Sequence, residues 1–149
     1  MANLASFIQF CKDGNLDKVK QLYSLGGIDI HSNNDYAFYI LCYYGHIEIA
    51  KWLYSLNGVN IHAVNERAFI NSCKNRHLEV AKWLYSLNGV NIHADNEKAF
   101  CSSCSNGHLK MAKWLCSLGG VNIHANDEEA FRLTCSNGHL EVAKWLNSL

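Results

Sequence analysis

The sequence predicts an all-α solenoid of five stacked helix-turn-helix units. Phe, Cys and Trp each recur along the 149-residue chain with a spacing of 31, and residues 51–81 match residues 82–112 at 23 of 31 positions. Such a period is typical of an array in which each unit buries its apolar face against its neighbours. The predicted units are approximately 1–31, 32–62, 63–93, 94–124 and 125–149, and together they form a single domain.

The first helix of each unit is predicted from its ends and its apolar spacing. In the third unit Asn65 is a good N-cap and Glu66 lies in the first turn, where the helix dipole favours an acid. The helix should end near Asn75. The next residue is Arg76, and the equivalent position in three other units is a glycine: Gly45, Gly107 and Gly138. Glycine at this point indicates a left-handed residue that ends the helix. Arg76 replaces this glycine in the third unit. Either the turn changes its left-handed conformation there, or the arginine side chain has a function, or the replacement is neutral.

The second helix should begin near His77 and present an apolar stripe of Leu78, Ala81, Trp83, Leu84 and Leu87. A loop starting at Asn88 leads to the next unit. Both helices are shorter than the roughly 12–15 residues that an isolated helix needs, so stacking must stabilise them.

Composition excludes several classes of protein. Apolar residues make up 49% of the chain, too many for a disordered protein, and no apolar run approaches the roughly 20 residues of a membrane span. Thirteen basic residues balance thirteen acidic ones, which disfavours nucleic-acid and membrane-surface binding. The first residues lack the pattern of a signal peptide, so we expect a cytoplasmic protein, with the nucleus also open, and seven reduced cysteines.

The second helices resemble a known family. The stretches Asn106-Gly-His-Leu-Lys-Met-Ala-Lys-Trp-Leu and Asn137-Gly-His-Leu-Glu-Val-Ala-Lys-Trp-Leu are similar to the second helix of ankyrin repeats. The resemblance covers essentially the whole chain, and the 31-residue period resembles the ankyrin arrays that giant DNA viruses encode. It implies a protein–protein interaction module without catalysis or cofactor. The partner would be another protein, from the host and in the host cytoplasm if the chain is viral.

Two departures from the family pattern affect the loops. The family's Thr-Pro-Leu-His is replaced, for example by Arg67-Ala-Phe-Ile70, and the unit is about two residues shorter than the family's roughly 33. We therefore expect short finger loops without paired strands.

Histidine and cysteine raise the question of a metal site. The eight histidines form two series, 31/62/93/124 and 46/77/108/139, whose members are one unit apart and do not converge, so hydrogen bonding within loops and turns is expected. Five cysteines, 11/42/73/104/135, form a series that predicts buried core thiols. Cys101 and Cys104 with His108 resemble half of a zinc site, but no second pair of ligands follows. No metal, cofactor or catalytic residue is predicted.

Positions whose residue differs between units are not required for packing one unit on the next, so they are candidates for contact with a partner. On the first helix they are the lines 5/36/67/98/129, 8/39/70/101/132 and 12/43/74/105/136, which are spaced i, i+3 and i+7 and so share one face. In ankyrin repeats that face lines the concave surface. Tyrosine and arginine are enriched in binding hot spots. The predicted contact residues are Tyr36, Tyr39, Tyr43, Arg67, Ile70, Lys74, Lys98 and Arg132. In the alternative interpretation the tyrosines cover neighbouring helices and the cations are only solvated.

The two ends of the array differ. The first unit has Lys18 and Gln21 where the others have apolar residues, as a capping unit requires. The last unit keeps Trp145, so we expect Trp145, Leu146 and Leu149 to be partly uncovered. This end gives the alternative function, a structural or weakly self-associating array. An RNA-binding array is a third option that the neutral charge disfavours.

Overall fold

The computed structural model describes residues 3–56, 58–87 and 89–149, so the predicted loop position Asn88 lies outside the described residues. Within these ranges the chain forms ten helices and no strands. The helices are α1 (Leu4–Lys12), α2 (Leu16–Ser24), α3 (Ser32–Tyr44), α4 (Ile47–Ser55), α5 (Ala63–Lys74), α6 (Leu78–Ser86), α7 (Ala94–Ser105), α8 (Leu109–Ser117), α9 (Ala125–Ser136) and α10 (Leu140–Leu146).

The helices stack as the repeat predicts. Each odd-numbered helix contacts the next odd-numbered helix and also the even-numbered helix of its own unit. One continuous core runs through all five units, because the same positions are buried in successive units. Its largest members are phenylalanines of the odd-numbered helices and leucines of both kinds of helix: Phe7, Phe38, Phe69, Phe100, Leu41, Leu53, Leu84 and Leu115.

The predicted N-cap at Asn65 is wrong. Helix α5 is preceded by His62, and its first residues Val64, Asn65 and Glu66 have φ of 54°, 54° and 62°, so they form a left-handed turn before the right-handed helix begins. The same three positions are left-handed in α3, α7 and α9. Each such residue costs about 1–2 kcal/mol. Glu66 lies in the first turn of α5 as predicted, but the left-handed conformation places its carboxylate inside the protein, with the side chain 8% exposed.

The turn between the two helices of a unit agrees with the sequence interpretation. Helix α5 ends at Lys74 with Asn75 as its C-cap, and α6 begins after His77. Arg76 has φ of 68°, in the range of the equivalent Gly45, Gly107 and Gly138. The turn therefore keeps its left-handed geometry despite the side chain, and it does not relax.

The first and last units differ from the middle ones. Lys18 and Gln21 are exposed on the outer side of the first unit, as a polar cap requires. In the last unit two expectations are wrong. Cys135 is exposed rather than in the core, and Leu146 is buried, with only 8% of its surface exposed. Cys135 lies on α9, the last odd-numbered helix described, whereas Leu146 belongs to the core cluster. Leu149, at 59% exposure, is uncovered as expected.

The structure also bears on membrane insertion. None of its helices, across the residues described, has both the length and the apolar character needed to cross a bilayer.

Candidate binding face

The predicted contact residues share one face of α3, α5, α7 and α9, here called the first-helix face. Tyr36, Tyr39 and Tyr43 occupy successive turns of α3, and their rings are in contact, with centroids 5.6 Å and 5.9 Å apart. The ring of the adjacent Tyr44 also contacts this row, with its centroid 5.0 Å from that of Tyr43. All three predicted tyrosines are half-buried. A row of this kind presents a large apolar area with little rotamer freedom left to lose on binding.

Arg67 connects the second and third units. Its guanidinium carbon lies 4.2 Å from the centroid of the Tyr39 ring, which is the geometry of a cation–π contact. Among the described residues no carboxylate lies within salt-bridge distance of Arg67. The side chain is thus held in place by the ring, while its N–H groups remain available to an external acceptor.

A shallow groove follows between α5 and α7. Arg67, Ile70 and Lys74 form one wall, and Lys98 and Asp95 lie on the other. Lys98 forms an ion pair with Glu129 of the next unit at 3.7 Å, so part of its charge is already balanced. Lys74 is exposed and, like Arg67, has no acidic partner in the described part of the chain. The groove therefore carries an excess of positive charge.

The last predicted contact residue, Arg132, behaves differently. Its Nε donates a hydrogen bond to the carbonyl oxygen of Asp127 at 2.7 Å, and one Nη donates to that of Asn126 at 3.3 Å. These carbonyls belong to the left-handed turn at the start of α9. Arg132 is exposed, but it stabilises the turn of its own unit, so fewer of its donors face outward.

A second groove, between α1 and α3, is mainly apolar. Leu4, Ile8, Ile30 and Tyr36 line a concavity of about 360 Å³, and Lys12 lies at its edge. The space exists because the first unit has Ala5 and Ile8 where the second has the larger Tyr36 and Tyr39. Positions 5 and 8 belong to the variable lines of the first helix, but neither is a tyrosine or a charged residue, so the sequence pattern does not predict a groove there.

The first histidine series forms hydrogen bonds to carboxylates. His31, His62, His93 and His124 each place Nδ1 within hydrogen-bond distance of the acid four residues on. In the middle units that acid also accepts a backbone N–H of the loop that leads to the next unit: for Glu97 the distances are 2.8 Å to Nδ1 of His93 and 3.1 Å to the backbone nitrogen of Asn122. These carboxylates were missed from the sequence, although an acid recurs four residues after each histidine.

The second histidine series connects units on the side of the helix turns. The Nε2 of His46, His77 and His108 each donates to a carbonyl oxygen 34 residues earlier, at 2.8–2.9 Å. Burial lowers the pKa of His77 and of His108 and so favours the neutral ring, whose Nε2–H tautomer makes this bond, although the bond itself acts in the opposite direction on the pKa. In the last unit Asn137 makes the corresponding bond, to the carbonyl of Ser105 at 2.7 Å.

The cysteines lie apart from any ligand set. Cys11, Cys42, Cys73 and Cys104 are fully buried, and burial raises the pKa of Cys11 to about 12. Over residues 3–56, 58–87 and 89–149 no group of three or more His, Cys, Asp or Glu side chains is arranged to hold a metal ion.

Comparison with known proteins agrees with the helical stack. No individual curated protein matches the chain significantly. The family model of ankyrin repeats in three copies matches residues 7–96 and again residues 69–148, which together span nearly the whole chain. Proteins built from this repeat generally bind other proteins. Because this match covers nearly the whole sequence, the chain belongs to the ankyrin-repeat family.

Proposed function

We propose that the chain is a protein-binding module whose first-helix face, concave in this family, receives the partner. The contact between Arg67 and Tyr39 is the observation that carries the proposal. Arginine and tyrosine are the residue types that dominate binding hot spots, and here a stacked pair joins two units at the centre of a half-buried aromatic row. Among the described residues no carboxylate lies within salt-bridge distance of this guanidinium, so its N–H groups are available to an acceptor from outside.

The experiment is affinity capture with the intact chain, followed by binding measurements on the captured partner. Tyr39→Ala and Arg67→Ala should each weaken binding by over 1 kcal/mol, a loss that only a minority of interface residues cause. Tyr85→Ala and Lys82→Ala are matched controls, since both residues are exposed on the outer helix α6, and they should leave affinity unchanged. Equal affinity of all four variants would place the contacts elsewhere.

The free energy of unfolding distinguishes residues that bind a partner from residues that only pack within the stack. Trp83 contacts Phe38 and Tyr54 of the preceding unit, with ring centroids 6.1 Å and 5.9 Å apart. Trp83→Ala should therefore cost about 3 kcal/mol of unfolding free energy, the lower end expected for a largely buried aromatic residue. Tyr39→Ala should change stability much less. If Tyr39→Ala unfolds the chain, the tyrosines serve packing, as in the alternative interpretation.

Self-association through the last unit is the second candidate. It is supported by apolar side chains left open there: Leu140 is 63% exposed, Leu149 is 59% exposed and Leu133 is 37% exposed. Exposed apolar surface of this kind favours association. Sedimentation at increasing concentration tests it, because a mass that stays at one chain rules this function out.

A further inference from the structure

We propose that the partner presents an extended acidic segment, with one apolar side chain in the groove between α1 and α3 and carboxylates at the groove between α5 and α7. This inference rests on the proposed function and specifies the chemistry of the partner. It combines three parts of the first-helix face: an apolar groove, an aromatic row and a positive groove, in that order along the stack.

The apolar groove selects the anchor. Leu4, Ile8 and Ile30 line it together with the ring of Tyr36, and its volume of about 360 Å³ is enough for a leucine or phenylalanine side chain. The one carboxylate in its lining, Asp29, is hydrogen-bonded within its own loop and is held in its charged form. It accepts from the Ser32 hydroxyl at 2.9 Å and from a backbone N–H at 3.0 Å, and these bonds lower its pKa.

The charges around the two grooves indicate that the rest of the partner's segment is acidic. Lys12 at the edge of the apolar groove, Arg67 above Tyr39, and Lys74 have no acidic partner within the residues described. The acidic groups lining these grooves or paired with their cations are Asp29 in the apolar groove, Asp95 on the opposite wall of the positive groove, and Glu129, which pairs with Lys98, so four cations face three carboxylates. The balance is positive although the whole chain is neutral, so an acidic segment is the complementary partner.

The stack sets the spacing. The apolar groove lies between α1 and α3, and the positive groove lies between α5 and α7, so their centres are two helix spacings apart. Packed helices are about 8–10 Å apart, which places the centres roughly 16–20 Å from each other. An extended chain advances about 3.3 Å per residue and covers this distance in about five or six residues. Acidic segments with one apolar residue do not fold alone, so they are free to adopt that form.

The test uses labelled synthetic peptides and the full chain. Each peptide carries one leucine and a Glu-Glu pair, with the leucine about two, five or nine residues from the first glutamate, joined by Gly and Ser. Fluorescence anisotropy gives the dissociation constants. We expect the five-residue peptide to bind about tenfold more tightly than the other two and than its Gln-Gln counterpart.

Two variants locate the two contacts. Arg67→Gln should abolish the preference for Glu-Glu over Gln-Gln, and Ile8→Ser should abolish the preference for leucine over serine at the anchor. Lys113→Gln, on the exposed side of the outer helix α8, is the charge-matched control and should change neither preference. Circular dichroism of each variant checks that it folds.

Three outcomes overturn the inference: no peptide binds, all spacings bind alike, or Glu-Glu and Gln-Gln peptides bind alike. If any of these occurs while Tyr39→Ala still releases the captured partner, the proposed function stands and only the chemistry of the partner is wrong. If Tyr39→Ala has no effect on the captured partner and the peptides also fail, both are wrong.

Discussion

Glu97 lies 2.8 Å from Nδ1 of His93, and the same carboxylate oxygen accepts the backbone N–H of Asn122, 25 residues further on, at 3.1 Å. One side chain therefore joins the left-handed turn at the start of its own unit to the loop that leads to the next unit. The arrangement recurs at Glu66, with His62 and Asn91. Because the repeat is too short for paired strands, this carboxylate is the polar link between neighbouring fingers.

Glu97→Ala should lower the free energy of unfolding by about 2 kcal/mol, since hydrogen bonds to a charged group contribute roughly 1.5–3 kcal/mol and the N–H of Asn122 loses its acceptor. Glu128→Ala is the matched control. Glu128 also pairs with a histidine, but its side chain is 50% exposed and it accepts no N–H from a later unit in the described chain. Its loss should be under about 0.5 kcal/mol, as for other exposed pairs. Urea denaturation measures both, and equal losses would show that the link between units contributes nothing.

The same carboxylates show where prediction from sequence stops. The N-cap prediction at Asn65 used a local preference, whereas the left-handed turn is held by Glu66 bonding to Asn91, 25 residues away. No local rule contains that contact. The helix ends at Asn75 and His77 were predicted correctly, because glycine at the equivalent of Arg76 in three other units reports the left-handed residue directly.

The binding face was predictable only in part. The spacing i, i+3, i+7 placed Tyr36, Tyr39 and Tyr43 on one face, and the structure brings their rings together. The stacking of Arg67 on Tyr39 depends on how two units are rotated against each other, which a sequence pattern within one helix does not specify. The apolar groove was missed for a related reason: a concavity results from small residues next to large ones across a unit boundary.

Gly107→Ala should destabilise the chain more than Gly138→Ala. The two glycines have φ of 73° and 76°, so the backbone cost of an alanine, about 1–2 kcal/mol, is the same at both. A Cβ at Gly107 would lie 2.6 Å from Nδ1 of His139, whereas one at Gly138 meets nothing within 4 Å. Arg76 coexists with His108 in the equivalent place, so we expect the ring to shift rather than the unit to unfold, at an extra cost of about 1 kcal/mol. Equal midpoints in urea would contradict this steric account.

Thiol labelling should distinguish one cysteine from the rest. Cys135 is exposed, whereas burial raises the pKa of Cys101 to about 11 and that of Cys11 to about 12. Because the thiolate is the reactive form, Cys135 should react first with iodoacetamide at pH 8, Cys116 more slowly, and the buried thiols only on unfolding. Peptide mass mapping at short times identifies the labelled residue. Rapid labelling of Cys73 in folded protein would mean that the core opens readily, and Cys135→Ser, which should remove the fast phase, is the control.

Acidification should lower the free energy of unfolding through protonation of His77 and His108. Burial lowers the pKa of both rings below the usual value near 6.5, and Nε2 of each donates to a carbonyl of the preceding unit. The unfolded chain therefore binds these protons more readily than the folded one. Their stabilising contribution is complete above about pH 6.5 and is lost as the pH falls below that value towards the lowered pKa. Unfolding free energies measured in urea between pH 7.5 and pH 5 should decline. The decline should be smaller in His77→Gln, whose amide can still donate to the carbonyl of Tyr43. An NMR titration that places the midpoint of His77 above 6.5 would reverse the sign and contradict the prediction.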